Sequence, residues 1–264
     1  MELLPVIIAL MYIVLTLIVR TMLMNEINID LLKKFFNILV HINFLLFVFY
    51  SYNTIYPTYG LGFSFIQSLL LTLLIINIFF LLFMFQKQIY HLGLILFPLT
   101  AFVLIMSQSI EDISNTQKVI PEGLQLHILT SFASYGLLGL AAIQALLLNY
   151  QEKQLKNVTN SKFLASLPAI EVMEKIMFDL IALGFMLLTL SLLSGAPFVI
   201  QNSNLHVMQK ILFSLIAWLT FAYLLYKRFS NGVRGKRAIN ITFSGIIFLF
   251  IAYLGTKLLF EFHI

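Results

Sequence analysis

Histidine is the residue type in this chain with the most capacity for chemistry, because the sequence has five histidines and no cysteine. His127 and His206 each stand at the start of a long apolar run. Imidazoles at matching depth on two helices are what axial ligation of a haem iron, or a divalent metal site, requires. Two interfacial histidines with nothing between them would show the same pattern. The pair therefore predicts a shared cofactor site and leaves a structural role open.

The run that follows His127 carries a polar seam. Ser131, Ser134 and Tyr135 lie four, seven and eight residues later, which places them on the same face of a helix. Glycines and alanines come next, together with Gln144, and small residues let a neighbouring backbone approach closely while an amide bonds across helices. The seam fits a tightly packed central helix. It equally fits one wall of a site in which His127 is a ligand or a donor.

Two further histidine positions carry separate hypotheses. His206 is followed by Lys210, Ser214 and Trp218 at intervals of four, so these side chains form a broad stripe on one helix. His41 lies about 10 Å inside the second apolar run, too deep to be merely interfacial. A neutral imidazole bonded to a neighbouring helix would explain His41, and a membrane-embedded ligand or proton carrier is the alternative.

Eight apolar runs must position these residues, and together they occupy most of the chain. At a rise of about 1.5 Å per residue, each run is long enough to cross most or all of a hydrocarbon core of about 30 Å. The pattern predicts an all-α integral membrane protein, a bundle of eight transmembrane helices in a single polytopic domain over residues 1–264. The runs are Leu3–Leu23, Phe35–Tyr52, Phe63–Phe85, Ile89–Met106, Leu126–Tyr150, Ile176–Ser194, Val207–Leu225 and Ile239–Thr256.

The basic residues between the runs are distributed asymmetrically. One side holds only Lys118, Lys210 and Lys257 of the 16 Lys and Arg. The positive-inside rule therefore predicts that both termini are on the periplasmic side and that the basic loops are cytoplasmic. The five cations from Lys227 to Arg237 are interpreted as a topological anchor and headgroup contact, in which the replacement of any single charge should have almost no effect. The basic side holds Arg20, Lys33, Lys34, Lys87, Lys153, Lys156, Lys162, Lys175, Lys227, Arg228, Arg234, Lys236 and Arg237.

The composition excludes several classes of function. With 61% apolar and 10% charged residues, a soluble domain of 264 residues would not have enough polar surface to cover itself. The cations line one membrane face without interleaved aromatic residues, which favours contact with the lipid bilayer and anionic headgroups over nucleic acid. Without cysteine the chain has no thiolate metal site. No catalytic triad, zinc-protease or phosphate-loop spacing occurs, so no enzyme activity is predicted.

From Leu126 onward the residues resemble those of a known family. The stretches are HILTSFASYGLLGLAAIQALLLNYQEKQLK (127–156), LPAIEVMEKIMFDLIALGFMLLTLSLLSG (167–195), ILFSLIAWLTFAYLLYKR (211–228) and GVRGKRAINITFSGIIFLFIAYLG (232–255). They are similar to the cytochrome c assembly membrane protein family, in the YpjD/HemX-like eight-helix branch of the CcsA and CcmC superfamily. The resemblance is close over 126–264 and weaker over the first four helices, where His41 occupies a place similar to a histidine of that branch.

The resemblance implies a haem-handling or cytochrome c assembly-related protein of the bacterial inner membrane. Members carry or present haem for attachment to apocytochromes, using histidines around a tryptophan-rich outer loop. His127 matches the histidine that opens the core domain, and His206 and His41 are the other implied ligands of a haem b. In this chain, however, the loop GAPFVIQNSN (195–204) contains neither tryptophan nor an acidic residue. The alternative is a non-haem accessory or regulatory protein that acts through a membrane partner.

Overall fold

The computed structural model describes residues 3–24, 29–55, 65–86, 89–109, 122–156, 162–201 and 205–255. Every regular element in these ranges is helical. A 3₁₀ turn at Tyr90–Leu92 precedes α4, and a π-helical turn at Ile251–Gly255 follows α9. The α-helices are α1 (Leu4–Met24), α2 (Ile29–Ile55), α3 (Phe65–Gln86), α4 (Gly93–Ser109), α5 (Glu122–Lys156), α6 (Lys162–Ser166), α7 (Ile170–Gln201), α8 (Leu205–Asn231) and α9 (Gly235–Phe250).

The structure confirms the all-α fold. In the described part of the chain, eight helices are long and apolar enough to cross a membrane. Only the short α6 is not among them. Many large apolar side chains on these helices are exposed, as expected where lipid rather than protein covers a helix.

The chain divides into two compact units. The first comprises Met1–Val119 and Thr159–Pro168, and so contains α1 to α4 and α6. The second comprises Ile120–Val158 and Ala169–Ile264, and contains α5 and α7 to α9. The single domain that the sequence predicts remains a prediction.

The first unit is built on a buried aromatic cluster. In this unit α1 packs on α4 and α2, and α3 packs on α2 and α4. The ring of Phe97 lies 5.3 Å from that of Phe80 and 5.6 Å from that of Tyr12, between ring centroids. The Tyr12 hydroxyl donates to Asn77 Oδ1 over 3.3 Å, and Asn77 Nδ2 donates to Thr100 Oγ1 over 3.2 Å. Three helices are thus joined by one buried polar chain.

The second unit is a ring of four helices with α5 and α8 on opposite sides. Both α5 and α8 pack on α7 and on α9, and the α5–α7 interface is the most extensive. The most apolar window of α5 is 67% buried, the largest share among the eight long helices of the described ranges. Small residues make this possible, since a Cβ added to Gly184 of α7 would lie 2.7 Å from Leu138 Cγ of α5. The polar seam of α5 therefore packs closely against α7.

Candidate functional site

The seam of α5 makes hydrogen bonds to α7 at three levels. At the predicted outer end His127 contacts Ser191, further in Ser134 donates to the Gly184 carbonyl over 2.9 Å, and deeper still Gln144 donates to a backbone carbonyl of α7. As the residue number on α5 rises, the residue number of its partner on α7 falls. The two helices are therefore antiparallel and keep one register over all three levels. These bonds satisfy polar groups that would otherwise be desolvated without partners.

His127 has its ring fixed by the backbone of α7. Its Nδ1 atom lies 2.8 Å from the carbonyl oxygen of Ser191 and 3.4 Å from the Ser191 hydroxyl. A carbonyl oxygen only accepts, so this bond places a proton on Nδ1, and in the neutral ring the lone pair is then on Nε2. Among the described residues, Nε2 has no hydrogen-bond partner. A neutral imidazole held through one nitrogen, with the other available, has the form of a metal ligand.

Two serines complete this contact. The hydroxyls of Ser131 and Ser191 are 2.5 Å apart, and Ser131 also donates to the backbone carbonyl of His127 over 2.6 Å. One turn beyond Ser191 on α7, Gly195 brings its backbone against the imidazole ring. The ring of His127 is therefore bounded by α7 and by its own helix.

Two neighbouring side chains of α5 and α8 relate the depth of the two outer histidines. The side chains of Tyr135 and Ser214 lie next to each other. Tyr135 and Ser214 each lie eight residues after His127 and His206, respectively, on helices that run in the same direction. Positions 127 and 206 therefore lie at about the same depth, within about one helical turn. His206 is in the first turn of α8, but its side chain falls outside the described part of the structure.

Aromatic side chains surround the next layer of the second unit. The ring of Tyr253 packs 5.4 Å from that of Phe132 and 5.7 Å from that of Tyr135, between centroids. On the other side, Trp218 donates to Thr189 Oγ1 over 2.9 Å. The stripe predicted on α8 is thus used in packing at Ser214 and at Trp218.

His41 belongs to the first unit. Its Nδ1 atom lies 2.6 Å from the carbonyl oxygen of Asn37, one turn earlier in the same helix. Its ring centroid is 5.7 Å from that of Phe85 on α3. The bond expected from His41 to a neighbouring helix is thus made to its own helix, and Nε2 is again left as the acceptor nitrogen. Among the described residues, no group of three histidine, cysteine, aspartate or glutamate side chains could hold a metal ion.

Comparison with known proteins places this arrangement in a family. Residues 36–264, most of the chain and all of the second unit, match the family of cytochrome C assembly protein. The chain belongs to the cytochrome c assembly protein family. The match extends well before Leu126, where the resemblance in the sequence becomes close.

Individual relatives of this cytochrome c assembly family member match over shorter stretches. The inner membrane protein YpjD of Escherichia coli K12 is 30% identical over 136 residues, 52% of this chain and 51% of that protein. Cytochrome c biogenesis protein CcsA of Prochlorococcus marinus MIT 9303 is 33% identical over 91 residues, 34% of this chain and 29% of that protein. Cytochrome c biogenesis protein CcsA of Trichormus variabilis is 35% identical over 91 residues, which are 34% of this chain and 26% of that protein. The chain thus spans about half or less of these curated relatives. No solved structure matches.

A second polar cluster lies at the predicted cytoplasmic end of this family member's second unit. Glu174 of α7 is buried and accepts a hydrogen bond from the backbone N–H of Gly235, the first residue of α9. Its Oε2 atom lies 3.7 Å from Arg228 Nη1, which also donates to the Val233 carbonyl over 3.1 Å. The Arg228 guanidinium also lies over the ring of Phe178, with 4.4 Å from Cζ to the centroid. The structure thereby sets Arg228 apart from the other cations of the predicted anchor.

Sequence reasoning did not single out Ser191, Gly195 or Glu174. Ser191 and Gly195 are four residues apart near the end of a predicted helix, a spacing that places both on one face. That spacing signals a close helix contact, but it does not identify the partner. Glu174 lies in the first turns of α7, where an acidic residue is ordinarily explained by the helix dipole.

Proposed function

We propose that this protein is a haem-handling member of its family that binds or presents haem b without making or breaking covalent bonds itself. The observation that carries the proposal is the contact between His127 Nδ1 and the Ser191 carbonyl oxygen, which leaves Nε2 as a lone-pair donor at the end of an apolar helix. A histidine that ligates a metal almost always donates its other ring N–H to an acceptor of this kind. The donor chemistry at His127 therefore fits a haem iron.

The proposed second ligand is His206. The proximity of Tyr135 and Ser214 supports this choice, because it puts positions 127 and 206 at similar depth on two helices of the second unit. When bound, haem would supply an iron that imidazole nitrogens can ligate, and His127 and His206 would hold it. His41, in the first unit, is a separate membrane candidate.

The proposed setting is a bacterial inner membrane, with both termini on the periplasmic side. The name of the YpjD relative supports the inner membrane, and the distribution of Lys and Arg supports the orientation. The name of the CcsA relatives supports an apocytochrome or another membrane protein as the partner. The predicted outer loop 195–204, whose residues 195–201 in fact continue α7, has no tryptophan with which to stack on a porphyrin. The histidines and the aromatic residues around Tyr135 would therefore have to hold the haem.

The absorption spectrum of gently purified protein, expressed with ample haem, tests the proposal. We expect a Soret band that sharpens and shifts on reduction. His127→Ala should abolish or strongly weaken the band, and His206→Ala should give a five-coordinate or substituted spectrum. His41→Ala is the matched control and should leave the outer-site spectrum unchanged.

Two results would contradict the haem assignment: haem-free protein under these conditions, or a His127→Ala variant with unchanged haem content and spectrum. Either would favour the accessory or regulatory role, in which the second unit binds a membrane partner and the bond from His127 to α7 serves only to hold two helices together.

A further inference from the structure

Gly195 is the point at which the backbone of α7 comes closest to the imidazole of His127. A Cβ atom added to Gly195 would lie 2.7 Å from both Nδ1 and Cε1 of that ring. Real Cβ atoms essentially never approach a heavy atom this closely, so either the ring or the helix would have to move. The ring moves more easily, because rotation about two side-chain bonds costs less than shifting a packed helix.

We propose that Ser191 and Gly195 are positioning residues for His127. The Ser191 carbonyl holds the proton on Nδ1, and the bare backbone of Gly195 gives the ring the space to reach that carbonyl. Together they present Nε2 as the nitrogen that binds iron. The functional meaning rests on the proposed haem role, but the statement about the ring and its tautomer can be tested without haem.

The contribution of Ser191 comes from its backbone. The carbonyl oxygen is 2.8 Å from Nδ1, whereas the hydroxyl is 3.4 Å away and lies 2.5 Å from the hydroxyl of Ser131. Ser191→Ala keeps the carbonyl and removes the hydroxyl. We therefore expect Ser191→Ala to preserve the tautomer and Gly195→Ala to disturb it.

The matched control for Gly195→Ala is another glycine of the same helix. Gly184 faces α5 in the same way, and a Cβ added there would lie 2.7 Å from Leu138 Cγ. Both substitutions introduce the same methyl group at an α5–α7 contact and give α7 the same gain in helix propensity. Only the one at Gly195 meets an imidazole.

Nitrogen NMR of ¹⁵N-histidine-labelled, haem-free protein in nanodiscs reads the tautomer directly. The chain has only five histidines, so the His127 signals can be assigned by their loss in His127→Gln. We expect a single Nδ1–H tautomer in the unsubstituted protein, in Ser191→Ala and in Gly184→Ala. Gly195→Ala should show a mixture of the two neutral tautomers. An unchanged single tautomer in Gly195→Ala, or an Nε2–H tautomer in the unsubstituted protein, would overturn the proposal.

Folding yield keeps the test decisive if Gly195→Ala alone does not fold. In a His127→Ala background the methyl group meets no ring, so Gly195→Ala should then fold with normal yield. An equal loss of yield in both backgrounds would show that residue 195 contacts something other than the imidazole and would refute the positioning role.

Haem titration links the positioning residues to the proposed function. Loss of a group that orients a metal-ligating histidine typically lowers affinity by about 10-fold to 100-fold. We expect a loss of this size for Gly195→Ala and a clearly smaller one for Gly184→Ala, whose methyl group meets Leu138 and not the imidazole. Equal losses would refute the positioning role. If the unsubstituted protein binds no haem but shows the expected tautomers, the haem function fails while the positioning contact stands.

Discussion

Glu174 and Arg228 form an ion pair between α7 and α8, with 3.7 Å between Oε2 and Nη1. The Glu174 side chain is only 6% exposed and the Arg228 side chain 24%. Glu174 also accepts the first N–H of α9, and Arg228 also bonds to the Val233 carbonyl. Gly232 and Gly235 have φ of 62° and 56°, which other residues rarely adopt, so the α8–α9 turn is specified by backbone conformation as well as by these bonds. One buried carboxylate thus connects three helices of the second unit.

Removing one partner of this pair should destabilise the second unit. Arg228→Gln leaves the buried Glu174 carboxylate without its cation, so we expect a loss of about 1 to 3 kcal/mol in the free energy of unfolding. Glu174→Gln together with Arg228→Gln should recover part of that loss, because no uncompensated charge remains. Equilibrium unfolding in mixed micelles measures the free energy of unfolding of the single and the double variant.

The control is Arg237→Gln, since Arg237 belongs to the same basic cluster and is exposed. Its replacement should change the free energy of unfolding by less than about 0.5 kcal/mol. Equally small effects of Arg228→Gln and Arg237→Gln would restore the sequence-based interpretation that the replacement of any single cation in this cluster has almost no effect.

The buried polar chain of the first unit should contribute measurably to stability. Tyr12→Phe removes the hydroxyl that donates to Asn77 Oδ1. Hydrogen bonds between membrane helices contribute about 0.6 kcal/mol on average and up to about 1.7 kcal/mol. We expect a loss in this range for Tyr12→Phe, measured by steric trapping in bicelles. Tyr226→Phe, at a side chain that is 65% exposed, should be nearly neutral. A neutral Tyr12→Phe would show that the hydrogen bond from Tyr12 to Asn77 contributes no net stability.

Reporter fusions test the orientation predicted from the cations. Fusions that end at Lys156 or Arg237 should be active only with a cytoplasmic reporter, and a fusion at Gln117 only with a periplasmic one. The physical reason is the preference of Lys and Arg for the cytoplasmic side in short loops. The reverse pattern at any two of these positions would contradict an orientation with both termini outside.

The sequence alone was sufficient for the all-helical class, because the length and apolarity of a segment are local properties of the chain. The eight long helices of the structure correspond to the eight predicted runs. The polar face of α5 was also predictable, since the 3.6-residue period puts His127 and Ser131 on one side of a helix. A periodic pattern describes a face, however, and does not say which helix covers it.

The tertiary structure decided what each face touches. The pattern placed His127 on a polar face without identifying the helix that covers it, and the described contacts of the His127 ring are with Ser191 and Gly195 of α7. That pairing depends on the antiparallel register of α5 and α7, which small residues on both helices allow and which no local stretch of sequence encodes. The same reason applies to Glu174, whose partners Arg228 and Gly235 lie far along the chain and meet it only when three helices pack together.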